Sequence, residues 1–322
     1  MQYRHLGNTG IKVSEISLGG WLTFDPATNG RAGREVLDKA LECGVNFLDT
    51  ANEYGKGVCE SAWGDLLSHY RRSSVVLATK VYFPMDDGPN DRGLSRKHIM
   101  EQCHASLKRL KTDYIDLYQC HRYDDETPLE ETIRAMDDLI SQGKVHYWGF
   151  SQWPADKIRR AFEICGDRFY APVSSQPKYN ILIREIEQEV MPLCADNGVG
   201  QVVYCPLEQG LLTGKYKPGQ PFPEDSRAID DTQNHFMKHL AADHKILESV
   251  HQLHPVAEEA GCTLAQLALA WVLRRPEISS CITGATRPSQ VEENCNASGI
   301  ELSEEQLNRI DEITLPVTYS FN

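Results

Sequence analysis

The chain has 322 residues, room for two domains or one large α/β barrel at roughly 100–200 residues per domain. Hydrophobic residues are 41% and charged residues 25%, the balance of a globular protein, and there is no apolar run of about eighteen residues that would permit membrane insertion. The 33 Lys and Arg stand against 46 Asp and Glu, a net charge of −13, which disfavours nucleic acid and anionic membrane surfaces as partners.

The N-terminal MQYRHLGNTG carries no apolar stretch behind its first basic residues, so a cytoplasmic protein is expected. The ten cysteines form no C-x-x-C pair. They are expected as reduced thiols packed like small apolar side chains, with no metal site. His235 and His239 share a helical spacing but lack an evident third ligand, and His251 and His254 read the same way.

Along the chain, short apolar runs alternate with stretches of helical period, the pattern of repeated βα units. After a short N-terminal β-hairpin, strands are predicted at 16–18, 45–48, 75–78, 115–118, 145–150, 173–175, 200–204 and 280–282. Between them the pattern is amphipathic. After Ser95, for example, Ile99, Cys103, Leu107 and Leu110 recur at three and four residues while Lys97, Glu101, Lys108 and Lys111 fall elsewhere, as in a helix lying on a sheet. Thr127-Pro128-Leu129-Glu130 reads as a helix start with a Thr N-cap, and Thr263–Gln266 and Ser303–Gln306 repeat that logic. Gly44, Gly143 and Gly198 each stand between a helix and the next strand, the place for a left-handed C-cap.

The αβ connections are therefore tight, whereas the βα segments 81–94 and 205–238 are long. The expected fold is an α/β (β/α)8 TIM barrel forming one domain over 1–322, with its site at the C-terminal ends of the strands. No G-x-G-x-x-G follows a strand, so a Rossmann domain is not expected. The run Gly210 to Tyr216 is one residue short of a Walker loop and has Tyr where Ser or Thr is required.

Asp49, Lys80 and His121 stand at three neighbouring strand ends, and Tyr54 lies five residues past Asp49. Singly, each has an ordinary structural reading as a cap, a snorkelling lysine, a core histidine or a loop anchor. As a group they suit proton transfer: Asp49 holds Lys80 charged, Lys80 lowers the pKa of the Tyr54 phenol, and His121 completes the path. A Schiff-base role for Lys80 is the competing chemistry, and Asp49 argues against it by keeping the amine protonated.

Three segments, Asp49-Thr50-Ala51-Asn52-Glu53-Tyr54, Thr79-Lys80 and Gln119-Cys120-His121-Arg122, resemble the catalytic tetrad segments of the aldo-keto reductases, barrel enzymes that use a nicotinamide cofactor. Leu18-Gly19-Gly20-Trp21, the stretch Arg92–Ile99, Glu130–Met136 and Gly261–Ala268 are similar to the branch that contains the voltage-gated potassium channel β subunits. The resemblance implies reduction of aldehydes or ketones, with Tyr54 as proton donor, Lys80 and Asp49 tuning it, and His121 orienting the carbonyl. It departs from the channel subunits at His121, where they have Asn, and at Tyr204, where they have Trp.

The same resemblance implies that NADPH/NADP+ is the cofactor. Gly20 and Trp21 border it with Asp49. Ser151, Gln152 and Gln176 bond its carboxamide, and Tyr204 stacks on the nicotinamide. Cys205, Pro206, Leu207, Glu208 and Gly210 wrap the pyrophosphate, with charge from Lys215 and Arg227. Gly284, Thr286, Arg287, Gln290, Glu293 and Asn294 hold the adenylate end, where Arg287 suits a 2′-phosphate. Trp21, Tyr54, Tyr82, Phe83, His121 and Trp153 are expected as an aromatic substrate cleft for a small-molecule carbonyl substrate. The alternative is a redox-sensing partner of a membrane channel with slow cofactor turnover, and a homo-tetramer is the assembly that branch suggests.

Overall fold

A computed structural model describes residues 1–21, 30–224, 226–229, 240 and 242–320. Strands β1 (Tyr3–His5) and β2 (Lys12–Ser14) pair antiparallel, with Tyr3 opposite Ser14. The next eight strands are β3 (Ile16–Gly19), β4 (Phe47–Asp49), β5 (Val76–Val81), β6 (Ile115–Cys120), β7 (Val145–Phe150), β8 (Ser174–Ser175), β9 (Gly200–Tyr204) and β10 (Ile278–Thr283). They close into a barrel in chain order, with β10 beside β3 and parallel pairing throughout. Each predicted strand is present, and the expected (β/α)8 barrel with its N-terminal hairpin is the fold.

Around the barrel lie α1 (Gly30–Glu42), α2 (Val58–Leu67), α3 (Arg96–Leu110), α4 (Leu129–Ser141), α5 (Ala155–Cys165), α6 (Val190–Asp196), α7 (His244–Gln252), α8 (His254–Glu259), α9 (Leu264–Leu273), α10 (Pro288–Cys295) and α11 (Glu304–Thr314). Their boundaries follow the capping chemistry. Thr263 and Ser303 form complete capping boxes with Gln266 and Gln306, while Gly44, Gly143 and Gly198 have φ of 86°, 69° and 71°, the left-handed conformation that ends a helix at little steric cost. One start differs from expectation. The α4 helix begins at Leu129 without a side-chain cap, because the Thr127 hydroxyl donates instead to Asp124 Oδ2 at 2.7 Å.

Two hydrophobic layers result. Phe47, Val76, Ala78, Leu117, Val202 and Ile282 cluster inside the barrel, and Leu6 and Val13 from the hairpin region close it at the N-terminal end. The larger cluster lies between strands and helices. The cysteines belong to this packing: no disulfide joins the described thiols and most are buried, and burial pushes Cys103 and Cys295 up to about 12.

Alternation along a strand then selects the residues above the apolar plug. Two residues on from Phe47 is Asp49; from Val76 and Ala78 the same face continues to Lys80; from Leu117 it continues to Gln119 and His121. From Tyr147 it passes through Gly149 to Ser151, and Val202 leads to Tyr204. The barrel therefore carries a polar layer on an apolar one at its C-terminal mouth.

Close packing behind this mouth depends on a mid-helix glycine. A Cβ built on Gly64 of α2 would stand 2.3 Å from the Arg109 carbonyl oxygen of α3, a backbone atom that cannot swing aside. Gly64→Ala is accordingly expected to destabilise the protein by about 1–3 kcal/mol, despite the gain of about 1 kcal/mol in helix propensity. Urea denaturation of the two proteins measures the difference.

Candidate active site

At the mouth, Lys80 Nζ donates to Asp49 Oδ2 at 2.5 Å, to the Thr50 carbonyl at 2.8 Å and to the Tyr54 hydroxyl oxygen at 3.3 Å. Lys80 and Asp49 are both buried. An ammonium with all three N–H donors engaged has no lone pair to attack a carbonyl, so the geometry speaks against the Schiff-base chemistry. The other Asp49 oxygen accepts from Gln176 Nε2 at 2.8 Å, and the Ser151 hydroxyl donates to the Gln176 carbonyl at 2.8 Å. Ser151, Gln176, Asp49, Lys80 and Tyr54 thus form one hydrogen-bonded chain across the barrel. Beside it, Gln152 Nε2 donates to the Tyr204 hydroxyl at 3.0 Å.

The sequence pattern predicts that Lys80 lowers the Tyr54 pKa, and the structure corrects this. Burial pushes the Tyr54 phenol well above its ordinary value, with Asp49 and Glu53 adding to the rise. The cation sits against Asp49, and this close ion pair presents little net charge to the phenol. Tyr54 is held neutral.

His121 moves the other way. Burial, reinforced by Lys80 and Arg122, holds it well below its ordinary value, so the ring is neutral. Its Nδ1 lies 3.7 Å from Glu53 Oε1 without a hydrogen bond. Because the folded protein binds this proton more weakly than the unfolded chain, His121 contributes stability that is present above about pH 6.5. That contribution is lost as pH falls below it, with a slope approaching about 1.4 kcal/mol per pH unit. Urea midpoints between pH 5 and 8 should therefore fall on acidification less steeply in His121→Asn than in the wild type.

Aromatic rings extend from Tyr54. Trp21 stacks 6.3 Å from Tyr54, His121 meets Tyr54 edge-on at 5.9 Å, Phe83 meets His121 at 4.9 Å, and Tyr82 meets Phe83 at 5.2 Å. Five of the six expected cleft residues are brought together. Trp153 is not. It is only 3% exposed and stacks 5.0 Å from Phe150, because the chain turns after β7 into Pro154 and the start of α5, and so it belongs to the core.

The segment after β9 is conformationally strained. Cys205, Glu208 and Gln209 have φ of 53°, 43° and 54°, as does Gln152 at 55°, a conformation that non-glycine residues adopt at a cost and that concentrates at functional sites. Glu208 departs from its expected place. Its carboxylate is fully buried, accepting from Lys178 Nζ at 2.7 Å and Asn180 Nδ2 at 2.6 Å, so only its backbone is available to a ligand. A carboxylate turned toward a phosphate would repel it; buried and paired, it fixes the loop from beneath. Pro206 is buried, Leu207 is half-buried, and Lys215 is exposed, with its Nζ 5.1 Å from the Tyr216 ring centre. A Cβ on Gly210 would meet Lys215 Cε at 3.1 Å, so glycine lets that lysine lie across the loop.

Beyond β10, no heavy atom of the described residues lies within 4 Å of a Cβ placed on Gly284, and Thr286 N donates to Gln290 Oε1 at 2.8 Å. Arg287 is exposed at the N-cap of α10. Asn294 is buried, and the Glu293 carbonyl accepts from Gln266 Nε2 at 3.1 Å. His235 and His239 lie outside the described residues, as does the side chain of Arg227. His251 and His254 meet edge-on at 5.1 Å, and among the described residues no group of His, Cys, Asp and Glu is arranged to hold a metal. Three residues at or below the mouth escaped sequence reasoning: Arg122, Lys178 and Asn180. Arg122 follows His121 directly, where the strand has ended and alternation no longer says which way a side chain turns.

A closed parallel barrel with a buried Asp–Lys pair beneath a neutral Tyr and a neutral His is a TIM barrel with its polar groups gathered at the C-terminal mouth, the face on which this fold places active sites. The model of the Aldo/keto reductase family matches residues 15–315. The chain belongs to that family of oxidoreductases, which generally use NAD(P)H. It is 44% identical over 303 residues to an Arabidopsis thaliana protein named "Probable voltage-gated potassium channel subunit beta", covering 92% of this chain and 91% of the relative. A protein of the same name from Oryza sativa subsp. japonica is 42% identical over 302 residues, covering 92% and 91%. The residues fit a nicotinamide cofactor: Ser151 and Gln176 are buried polar groups at the mouth, Gln152 bonds the hydroxyl of the half-exposed Tyr204, and Lys215 and Arg287 are exposed cations on an acidic protein.

Proposed function

We propose that this chain is a single-domain, NADPH-dependent reductase of aldehydes or ketones. The observation that carries the reading is the hydrogen-bonded chain from Ser151 and Gln176 through Asp49 and Lys80 to Tyr54, which ties a group of amide and hydroxyl partners to a proton donor. When bound, the nicotinamide supplies the hydride that reduces the carbonyl carbon. Ser151, Gln152 and Gln176 would hold its carboxamide, and Tyr204 its ring. Tyr54 gives its proton to the carbonyl oxygen as charge develops there. An alkoxide is a stronger base than a phenolate, so the transfer runs downhill even from a phenol with a raised pKa. Neutral His121 offers one N–H to the same oxygen and repels no incoming cation. The aromatic wall from Trp21 to Tyr82 excludes water from the reacting groups.

Lys215 and Arg287 would meet the phosphates, with Arg287 favouring the 2′-phosphate of NADPH over NADH. The names of the relatives support a second reading, a partner of a membrane channel in which cofactor turnover is slow. The two readings differ in rate. Absorbance at 340 nm, followed with NADPH and a panel of aldehydes, is expected to give steady turnover, and Arg287→Ala is expected to weaken NADPH binding about tenfold with little effect on NADH. Absence of turnover and of nucleotide binding would remove the reductase reading.

A further inference from the structure

We infer that Arg122 is a specificity-determining residue that directs the pocket toward carbonyl compounds bearing a carboxylate. The inference rests on the reductase reading above. Arg122 is half-buried at the mouth, with its guanidinium carbon 5.5 Å from the centre of the Phe83 ring, which itself packs edge-on against His121 at 4.9 Å. The cation therefore lies beside the residues that would surround a substrate carbonyl.

Its hydrogen bonds leave capacity. Nη1 donates to the His121 carbonyl at 2.6 Å and to the Ser151 hydroxyl at 3.4 Å. Among the described residues, Nε and Nη2 have no acceptor and no carboxylate pairs with this guanidinium. The contrast within the molecule is informative. Arg4, Arg72, Arg109, Arg184, Arg274 and Arg275 are all partly buried, and each is paired with an Asp or Glu. The other cation of the site, Lys80, is committed to Asp49 at 2.5 Å. Glu53, whose carboxylate feels Arg122, lies instead against His121 at 3.7 Å.

A planar guanidinium with an open edge matches a carboxylate through two parallel N–H···O bonds, a geometry a lysine cannot reproduce. In a protein of net charge −13, an arginine that lies against an aromatic ring and has no carboxylate partner among the described residues is suited to a ligand that brings its own negative charge. The Phe83 ring holds the guanidinium plane in place, and the bond to the His121 carbonyl fixes its distance from the reacting group.

The test compares two substrates of nearly the same shape, 4-carboxybenzaldehyde and its neutral methyl ester, with NADPH. Wild-type kcat/KM is expected to favour the acid by about tenfold or more. Arg122→Met should lower that ratio by about 10- to 100-fold, and Arg122→Lys should keep part of it. NADPH fluorescence titration of each variant establishes that the barrel is folded. Were Arg122→Met not to fold, inhibition of wild-type ester reduction by benzoate against methyl benzoate would read the same preference. A wild-type enzyme that reduces the ester but does not prefer the acid overturns this inference alone. So does an acid-to-ester ratio that Arg122→Met leaves unchanged. If neither aldehyde is reduced, the reductase reading falls and takes this inference with it.

Discussion

Tyr54→Phe is expected to lower kcat/KM for aldehyde reduction by about 10²–10⁴-fold, the range for removing a positioned general acid, while leaving NADPH affinity nearly unchanged. The split follows from the geometry. The Tyr54 hydroxyl meets Lys80 at 3.3 Å, and the amide partners Gln152 and Gln176 bond to Tyr204 and Asp49 instead. Loss of one oxygen therefore removes the proton and leaves the candidate cofactor contacts standing. Steady-state kinetics with a fluorescence titration of NADPH separates the two effects. A large loss of NADPH affinity would move Tyr54 from proton donor to cofactor contact.

Lys80→Met is expected to have the largest effect on stability. It strands a buried Asp49 carboxylate, and removing one partner of such a pair costs about 3–5 kcal/mol. Among the side chains of the described residues, Gln176 alone would then bond Asp49, through Oδ1 at 2.8 Å. The double variant Lys80→Met with Asp49→Leu removes both charges and should recover much of that stability, since an apolar pair in place of a buried ion pair is often neutral. Reduction should remain lost in both. Urea denaturation followed by activity measurement distinguishes a pair that only holds the barrel together, where the double variant would regain activity, from one that also serves the donor.

Much of the fold was legible because its signals are local. The eight strands and the capping boxes at Thr263 and Ser303 lie in short windows where an alternation of two, a period near 3.6 or a cap three residues from its partner can be read directly. The α4 start was misread for a non-local reason: Asp124 takes the Thr127 hydroxyl and, with it, the cap. Among site residues, Asp49, Lys80 and His121 stood out as polar groups at the ends of apolar strands. Trp153 and Glu208 carried equally plain signals and went elsewhere, one into the core beside Phe150 and the other onto Lys178 and Asn180.

By itself, the sequence determined the number and order of βα units and the face on which each polar strand end would stand, since both depend on periodicities carried by neighbouring residues. Which of those ends would touch was decided only by closure of the barrel. Gln176 and Asp49 meet across 127 residues of chain, and no local pattern encodes that contact. The protonation of the site was decided there as well. Burial raises Tyr54 and lowers His121, and burial belongs to a position in the packed structure, because the surrounding protein sets the cost of taking charge out of water.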